Sequence, residues 1–209
     1  MQIILTSLQE PLAQAWQTYC GDLPFVQVHL GSIFEVDCDA LISPANSFGF
    51  MNGGIDFLYS QRFGWQLQER LQKAIQKFHY GELLIGAAQI VETADEKHPF
   101  LIAAPTMRYP MTITDTANPY LAARATFILW KYGRFQEGAF AGKQVSDVVK
   151  KIALPGFGTG VGCVKPEACA RQVRGAIQDI LLDRFVYPES WGQVMQRQEE
   201  FVGYPLQDR

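Results

Sequence analysis

Two distant segments of this sequence share one design, in which a short apolar run leads through a glycine-rich loop into a helical pattern. In the first segment, residues 40–42 form the apolar run, Pro44 ends it, and glycine, serine and asparagine crowd into residues 46–54. In the second segment, residues 151–154 lead into a loop at residues 155–164. Glycine lets a ligand approach the backbone, and a helix start offers unpaired N–H groups and the positive end of a dipole. Each segment therefore predicts an anion-binding loop between a strand and a helix.

The rest of the chain predicts the sheet that would carry these loops. Apolar runs alternate with helical patterns along most of the sequence, which predicts an α/β sheet covered by helices on both faces. The predicted strands are residues 2–7, 25–30, 40–42, 86–92, 100–104 and 151–154. The predicted helices are residues 11–19, 57–62, 65–78, 118–132 and 166–185. If the strands before the two loops are neighbours in the sheet, both loops flank one crevice at the strands' carboxyl ends.

Length and charge limit the classes of function. A chain of 209 residues without an internal repeat or linker predicts a single domain over residues 1–209. The net charge of −3 gives no electrostatic case for a nucleic-acid partner. The first residues lack the basic region of a signal peptide, and no apolar stretch is long enough to cross a membrane. We therefore expect a cytoplasmic protein with no membrane partner.

The sequence predicts neither a metal site nor a cofactor. Its 4 cysteines form no Cys-x-x-Cys pair and its 3 histidines are scattered, so a zinc site is unsupported. We expect the cysteines to be buried free thiols. A nucleophilic role for Cys163, which lies in the second loop, is the less favoured alternative. The usual dinucleotide fingerprint, the phosphate-binding P-loop and the Gly-x-Ser-x-Gly nucleophile motif are all absent from the sequence.

Two further features could serve a binding site. Asp56 follows the first glycine loop, where its carboxylate would repel a phosphate; alternatively, it is a first-turn residue that the helix dipole stabilises. Residues 105–118 lack clear periodicity, which is typical of a lid or a binding loop. Within that segment, Arg108 is interpreted as a surface arginine in preference to a phosphate contact.

Taken together, the two loops resemble the macrodomain family. Residues 31–33 (Gly-Ser-Ile), 39–46 (Asp-Ala-Leu-Ile-Ser-Pro-Ala-Asn) and 52–56 (Asn-Gly-Gly-Ile-Asp) are similar to its first signature. That signature is usually Gly-Asp-Ile, Asp-Ala-Ile-Val-Asn-Ala-Ala-Asn and a glycine run with Val-Asp. Residues 152–161 resemble the second, usually Ile-Ala-Phe-Pro-x-x-Ser-Thr-Gly-Val. The resemblance covers about residues 26–185, so the first strand and helix form an extension and residues 186–209 a tail.

The resemblance implies a three-layer α/β/α sandwich with a mixed central sheet that binds ADP-ribose as a small-molecule ligand. In it, Asn46 would contact the distal ribose hydroxyls, and Asp56 would position or activate water near the anomeric carbon. Phosphates and desolvation would both raise the pKa of Asp56. The ADP-ribose contacts that the resemblance implies are Ser32, Ile33, Ala45, Asn46, Asn52, Gly53, Gly54, Ile55, Gly158, Thr159, Gly160, Val161 and Gly162.

The chain also departs from the family pattern. Ser32 replaces the usual acidic residue near the adenine, and it accepts a hydrogen bond more weakly. The pair of residues at 162–163 replaces the frequent aromatic over the distal ribose, for which Phe48, Phe50 and Tyr109 are candidate substitutes.

Three functional hypotheses follow, in order of preference. The first is hydrolysis of an ADP-ribosyl bond, either de-ADP-ribosylation or O-acetyl-ADP-ribose deacetylation. The second is a non-catalytic module that binds ADP-ribose or a related nucleotide. The third is an interaction protein that keeps only the fold and uses its aromatic tail as a partner surface, unless that tail simply packs on the domain.

Overall fold

The computed structural model describes residues 1–204, within which six strands form one mixed sheet in the order β2-β1-β6-β3-β5-β4. The strands are β1 (Gln2–Ser7), β2 (Val26–Leu30), β3 (Ala40–Ser43), β4 (Gln89–Glu92), β5 (Phe100–Ala103) and β6 (Lys151–Leu154). All neighbours run parallel except β4, which is antiparallel to β5 at the edge of the sheet. Because β3 and β6 are parallel neighbours, the two glycine loops leave the sheet at the same edge.

Helices cover both faces of this sheet. They are α1 (Glu10–Cys20), α2 (Gly54–Phe63), α3 (Gln66–His79), α4 (Asn118–Tyr132), α5 (Val145–Val148), α6 (Pro166–Ala176) and α7 (Trp191–Val202). Residues of α1, α4 and α6 pack in one hydrophobic cluster, and residues of α2 and α3 pack in the other. Along β3, Ala40 and Ile42 belong to the first cluster and Leu41 to the second, because successive side chains point to opposite faces. The expected α/β/α sandwich with a mixed sheet is confirmed.

The start of β3 is fastened to the start of β6 by one carboxylate. Asp39 Oδ2 accepts hydrogen bonds from the backbone N–H groups of Lys150 and Lys151, at 2.7 and 2.8 Å. In the register that follows, Ala40 lies opposite Ile152. This contact aligns the two short strands, so the loops that follow them begin side by side.

Several element boundaries differ from the sequence prediction. The helix expected at residues 57–62 already begins at Gly54, because Gly53 is an extended N-cap that lets the helix start early. The strand expected at residues 86–92 is limited to Gln89–Glu92. The final predicted helix ends as an α-helix at Ala176 and continues as one π-helical segment, Ile177–Leu181.

Within residues 1–204, the first strand belongs to the sheet and the last helix packs on the helices that cover it. β1 lies between β2 and β6, so the predicted N-terminal extension occupies an interior position of the sheet. The tail contains α7, whose residue Phe201 is 8% exposed and stacks on Tyr120 of α4 with ring centroids 4.5 Å apart. The carboxyl end of α7 therefore packs on the rest of the protein, whereas Tyr187 and Trp191 of the tail are exposed. The last part of the predicted tail, residues 205–209, lies outside the described residues.

Candidate functional site

One cleft of about 410 Å³ lies at the carboxyl ends of the parallel strands, and both glycine loops line it. Gly54 from the first loop and Gly160 from the second share this cleft, as the sequence predicts for adjacent strands. The sequence-predicted residues that line it are Ser32, Ile33, Ala45, Asn46, Asn52, Gly53, Gly54, Ile55, Asp56, Gly158, Thr159, Gly160, Val161 and Gly162. The structure thus brings the whole predicted set together, while the ligand contacts assigned to it stay predictions.

Asn46 shapes the first loop through its side-chain amide. Its Oδ1 accepts hydrogen bonds from the backbone N–H groups of Phe48 and Phe50, at 3.1 and 3.2 Å, and its Nδ2 donates to the Phe50 carbonyl at 2.8 Å. Such side-chain bonds to the backbone close a turn locally. One Nδ2 hydrogen remains for a ligand, because a primary amide carries two donors.

The start of α2 presents backbone N–H groups at the cleft. Gly53 is the extended N-cap, with no side-chain cap, and its carbonyl accepts the first intrahelical bond from the Phe57 N–H at 3.2 Å. The N–H groups of the first helical turn therefore lack an intrahelical acceptor. A Cβ added at Gly53 or Gly54 would meet no atom within 4 Å, so open space adjoins the backbone at both positions.

In the second loop, the local structure requires glycine at positions 158 and 162, whereas at position 160 it leaves room for a side chain. A Cβ at Gly162 would lie 2.5 Å from the Gly158 carbonyl oxygen, so only glycine fits there. Gly158 has a φ of +72°, a backbone conformation that side-chain-bearing residues rarely adopt. At Gly160, by contrast, a Cβ would meet nothing within 4 Å, which leaves its backbone facing open space at the cleft.

Asp56 is the single charged side chain among the described residues that line the cleft. It lies in the first turn of α2, is only 6% exposed, and accepts a hydrogen bond from the Ser43 hydroxyl, with 2.5 Å between Oγ and Oδ1. Burial raises the pKa of Asp56 from 3.8 to about 7, and the Ser43 hydrogen bond opposes this rise. Burial raises this pKa without any contribution from a phosphate, which brings the titration of the carboxyl close to neutral pH.

The end of β1 and the start of α1 also line the cleft, which the sequence analysis missed. The lining residues from this part of the chain are Thr6, Ser7, Leu8, Gln9 and Leu12. The sequence signal was weak because this strand is followed by no glycine motif. Only the position of β1 beside β6 brings its carboxyl end to the same edge.

The aperiodic segment at residues 105–118 contributes part of one wall. Met107 pairs with Asn46 in a parallel bridge, and Thr106, Met107 and Pro110 line the cleft. Arg108 points elsewhere: its Nε donates to Glu82 at 2.6 Å, and its guanidinium lies 5.0 Å from the ring centre of Phe48. Of the three aromatic candidates, Phe50 lines the cleft, whereas Phe48 and Tyr109 are not part of the lining.

The remaining reactive side chains lie outside the cleft lining. Cys163 is exposed and its thiol contacts the Val161 carbonyl, whereas Cys20, Cys38 and Cys169 are buried free thiols. The three histidines contact Glu35, Gln89 and Val36, respectively. Within residues 1–204, no helix is long and apolar enough for a membrane span.

Comparison with known proteins agrees with this geometry. The family model described as Macro domain matches residues 42–173, which include both glycine loops. The chain belongs to the Macro domain family. An uncharacterized protein of Aquifex aeolicus is 32% identical over 146 residues, covering 70% of this chain and 76% of its own length. An uncharacterized protein of Aeropyrum pernix is 26% identical over 145 residues, covering 69% of this chain and 66% of its own length.

Solved macrodomains share the fold of this macrodomain at low sequence identity. The Oceanobacillus iheyensis macrodomain with ADP has a TM-score of 0.57 and 17% identity, covering 82% of this chain and 88% of that one. A mutant of the same macrodomain with ADPR has a TM-score of 0.59 and 17% identity, covering 82% and 90%. The macrodomain of Mycobacterium tuberculosis DarG has a TM-score of 0.56 and 20% identity, covering 71% and 87%.

Proposed function

We propose that this macrodomain binds ADP-ribose or a related nucleoside diphosphate in the cleft, and that it hydrolyses an ADP-ribosyl bond. The observation that carries the proposal is the position of Asp56, a buried carboxyl with a pKa of about 7, in the cleft that both glycine loops line. A base of this pKa is well matched to proton transfer at neutral pH.

The diphosphate would lie between the start of α2 and the loop around Gly160. No lysine or arginine occurs among the described lining residues, so backbone N–H groups and the α2 dipole would balance its charge. The cleft volume of about 410 Å³ falls in the usual range for small-molecule sites. Two solved structures of one macrodomain with this fold, that of Oceanobacillus iheyensis, contain ADPR and ADP, which is the same ligand chemistry.

In the proposed reaction, a water oxygen attacks the anomeric carbon of the distal ribose, or the acetyl carbonyl carbon when the substrate is O-acetyl-ADP-ribose. The bond from that carbon to the leaving group breaks, and the leaving group departs with the bonding electrons. Ionised Asp56 takes a proton from the water, the leaving group takes a proton from solvent on release, and Asp56 then returns its proton to solvent. The free Nδ2 hydrogen of Asn46 would hold a ribose hydroxyl beside this centre.

A second candidate is a module that binds the nucleotide without chemistry. The observation that favours it is the low exposure of Asp56, 6%, together with the use of its Oδ1 by Ser43. In that case Asp56 would be a structural residue of the cleft floor, and binding would persist in Asp56→Ala.

The two candidates are separated by a turnover assay. Mono-ADP-ribosylated protein and O-acetyl-ADP-ribose are incubated with wild type and Asp56→Ala, and released ADP-ribose is quantified. Hydrolysis predicts turnover by wild type and a loss of roughly 10²-fold or more in Asp56→Ala, the range for a general base. Calorimetric binding of ADP-ribose without turnover of either substrate by wild type would instead support the binding module.

A further inference from the structure

Ser43 ends β3 with a side chain that has one hydrogen-bond acceptor nearby. The residue is 0% exposed, and its hydroxyl donates to Oδ1 of Asp56 at 2.5 Å. Its backbone is held by β5, since it pairs with Ala103 and its carbonyl accepts from the Ala104 N–H at 2.9 Å. The hydroxyl is therefore presented to Asp56 from a fixed strand.

This contact makes the two oxygens of Asp56 unequal. Oδ1 is occupied by Ser43, whereas Oδ2 accepts no hydrogen bond from the described residues. Oδ2 is not one of the fully buried atoms that lack a partner, and Asp56 is part of the cleft lining, so this oxygen can accept a further hydrogen bond. A carboxylate held at one oxygen cannot rotate freely, which fixes the direction in which the other oxygen accepts a proton.

We propose that Ser43 is a positioning residue, whose hydroxyl holds Oδ1 of Asp56 so that Oδ2 receives the proton of the attacking water. This role rests on the proposed hydrolytic function. Ser43 touches neither the water nor the ribose in this arrangement, and it acts through Asp56 alone.

The same hydrogen bond also governs the protonation of Asp56. A donor to the ionised carboxylate favours the charged form, which opposes the effect of burial on the pKa. The nearby titratable group is Tyr59, whose own pKa is raised by burial and by the charge of Asp56. Tyr59 donates to the Ile42 carbonyl at 3.0 Å, so it supplies no hydrogen bond to Asp56. Removing the Ser43 hydroxyl should therefore raise the pKa of Asp56 further, because burial then acts without an opposing hydrogen bond.

The test uses two variants without a strong donor, Ser43→Ala and Ser43→Cys, so that a folding failure of one leaves the other. Ser60→Ala is the matched control, because Ser60 is 1% exposed and donates to the Met51 carbonyl at 2.8 Å, and the hydrogen-bond partners of Asp56 among the described residues do not include it. The ¹³C NMR signal of the Asp56 carboxyl carbon is followed across pH in the ligand-free protein. The signal is assigned by its absence from the spectrum of Asp56→Asn. Turnover of mono-ADP-ribosylated protein is then measured across pH.

In both Ser43 variants we expect the titration midpoint of Asp56 to lie at higher pH than in wild type. In Ser60→Ala we expect it to be unchanged. We also expect kcat to fall roughly tenfold at neutral pH, with KM nearly unchanged, as for a residue that acts only in the chemical step. An unshifted midpoint, or equal kcat in Ser43→Ala and Ser60→Ala, would overturn the proposal. The NMR midpoint needs no substrate, so an inactive wild type with a shifted midpoint would refute the hydrolytic function and still support the hold of Ser43 on Asp56.

Discussion

Ala40 of β3 lies directly opposite Ile152 of β6 in a parallel pair, and this register brings the two glycine loops to one cleft. The loops are far apart in the sequence, and the local structure of each does not depend on the other. Their convergence depends on two short strands being neighbours and on the strands ending at the same edge of the sheet.

The carboxylate that fastens these strands offers a first prediction. Asp39→Ala removes the acceptor for two backbone N–H groups at the start of β6, and we expect the free energy of unfolding to fall by about 1–3 kcal/mol. Asp37→Ala is the control, because Asp37 pairs with Lys151 through a side chain that is 82% exposed, and such pairs contribute little. Urea unfolding of both variants measures the difference, and equal losses would contradict the role of Asp39.

Gly160 offers a direct test of the shared anion site. A Cβ there meets no atom within 4 Å, so Gly160→Glu should leave the fold intact while placing a carboxylate where the diphosphate would lie. We expect ADP-ribose affinity to fall at least about 100-fold, since like charges repel strongly in a small cleft. Gly192→Glu, at an exposed position of helix α7, is the control and should bind as wild type does. Calorimetry gives both affinities, and undiminished binding by Gly160→Glu would rule out the proposed diphosphate position.

Asp56 should make stability depend on pH in a defined direction. Its pKa is raised from 3.8 to about 7 on folding. Its contribution to the free energy of unfolding is therefore fully present below about pH 4 and is lost as pH rises to about 7. Asp56→Asn removes this titration and keeps an acceptor for Ser43. We therefore expect Asp56→Asn to be more stable relative to wild type at pH 8 than at pH 4, which raises its relative Tm. The corresponding change in the free energy of unfolding is at most roughly 4 kcal/mol.

Thermal melts at the two pH values measure this difference. The control is Asp37→Asn: Lys151 lowers the pKa of Asp37, so any pH dependence should be small and opposite in sign. A Tm difference for Asp56→Asn that stays constant from pH 4 to pH 8 would mean that Asp56 is not protonated in the folded protein.

The rate of the proposed hydrolysis should follow the ionisation of Asp56. A general base must be deprotonated, so kcat/KM should rise roughly tenfold per pH unit below about pH 7 and level off above it. Initial rates on mono-ADP-ribosylated protein from pH 5 to pH 9 measure this profile. Residual activity of Asp56→Asn should be independent of pH in this range, and an identical rise in that variant would assign the titration to another group.

Local features of the site were predictable because they depend on residue types close together in the chain. The glycines at 53, 54 and 160, the helix starts after each loop, and the acidic residue at Asp56 are all visible in short motifs. These residue types set backbone conformation and leave N–H groups unpaired regardless of what packs around them. The same motifs indicated the family, which the comparison with the Macro domain model confirms.

Contacts between distant residues were not predictable in this way. The hydrogen bond from Ser43 to Asp56 and the lining contributed by Leu8 and Gln9 depend on strand order and on how α2 packs over the sheet. The packing of Phe201 against Tyr120 likewise joins elements that no local pattern relates.

The sequence by itself determined where the backbone could turn, where helices could begin and which side chains could accept a proton. Only the tertiary structure decided that the two loops share one cleft and that burial raises the pKa of Asp56 toward neutral pH. The physical reason is that backbone preference is a property of neighbouring residues, whereas desolvation is set by every element that packs around a group.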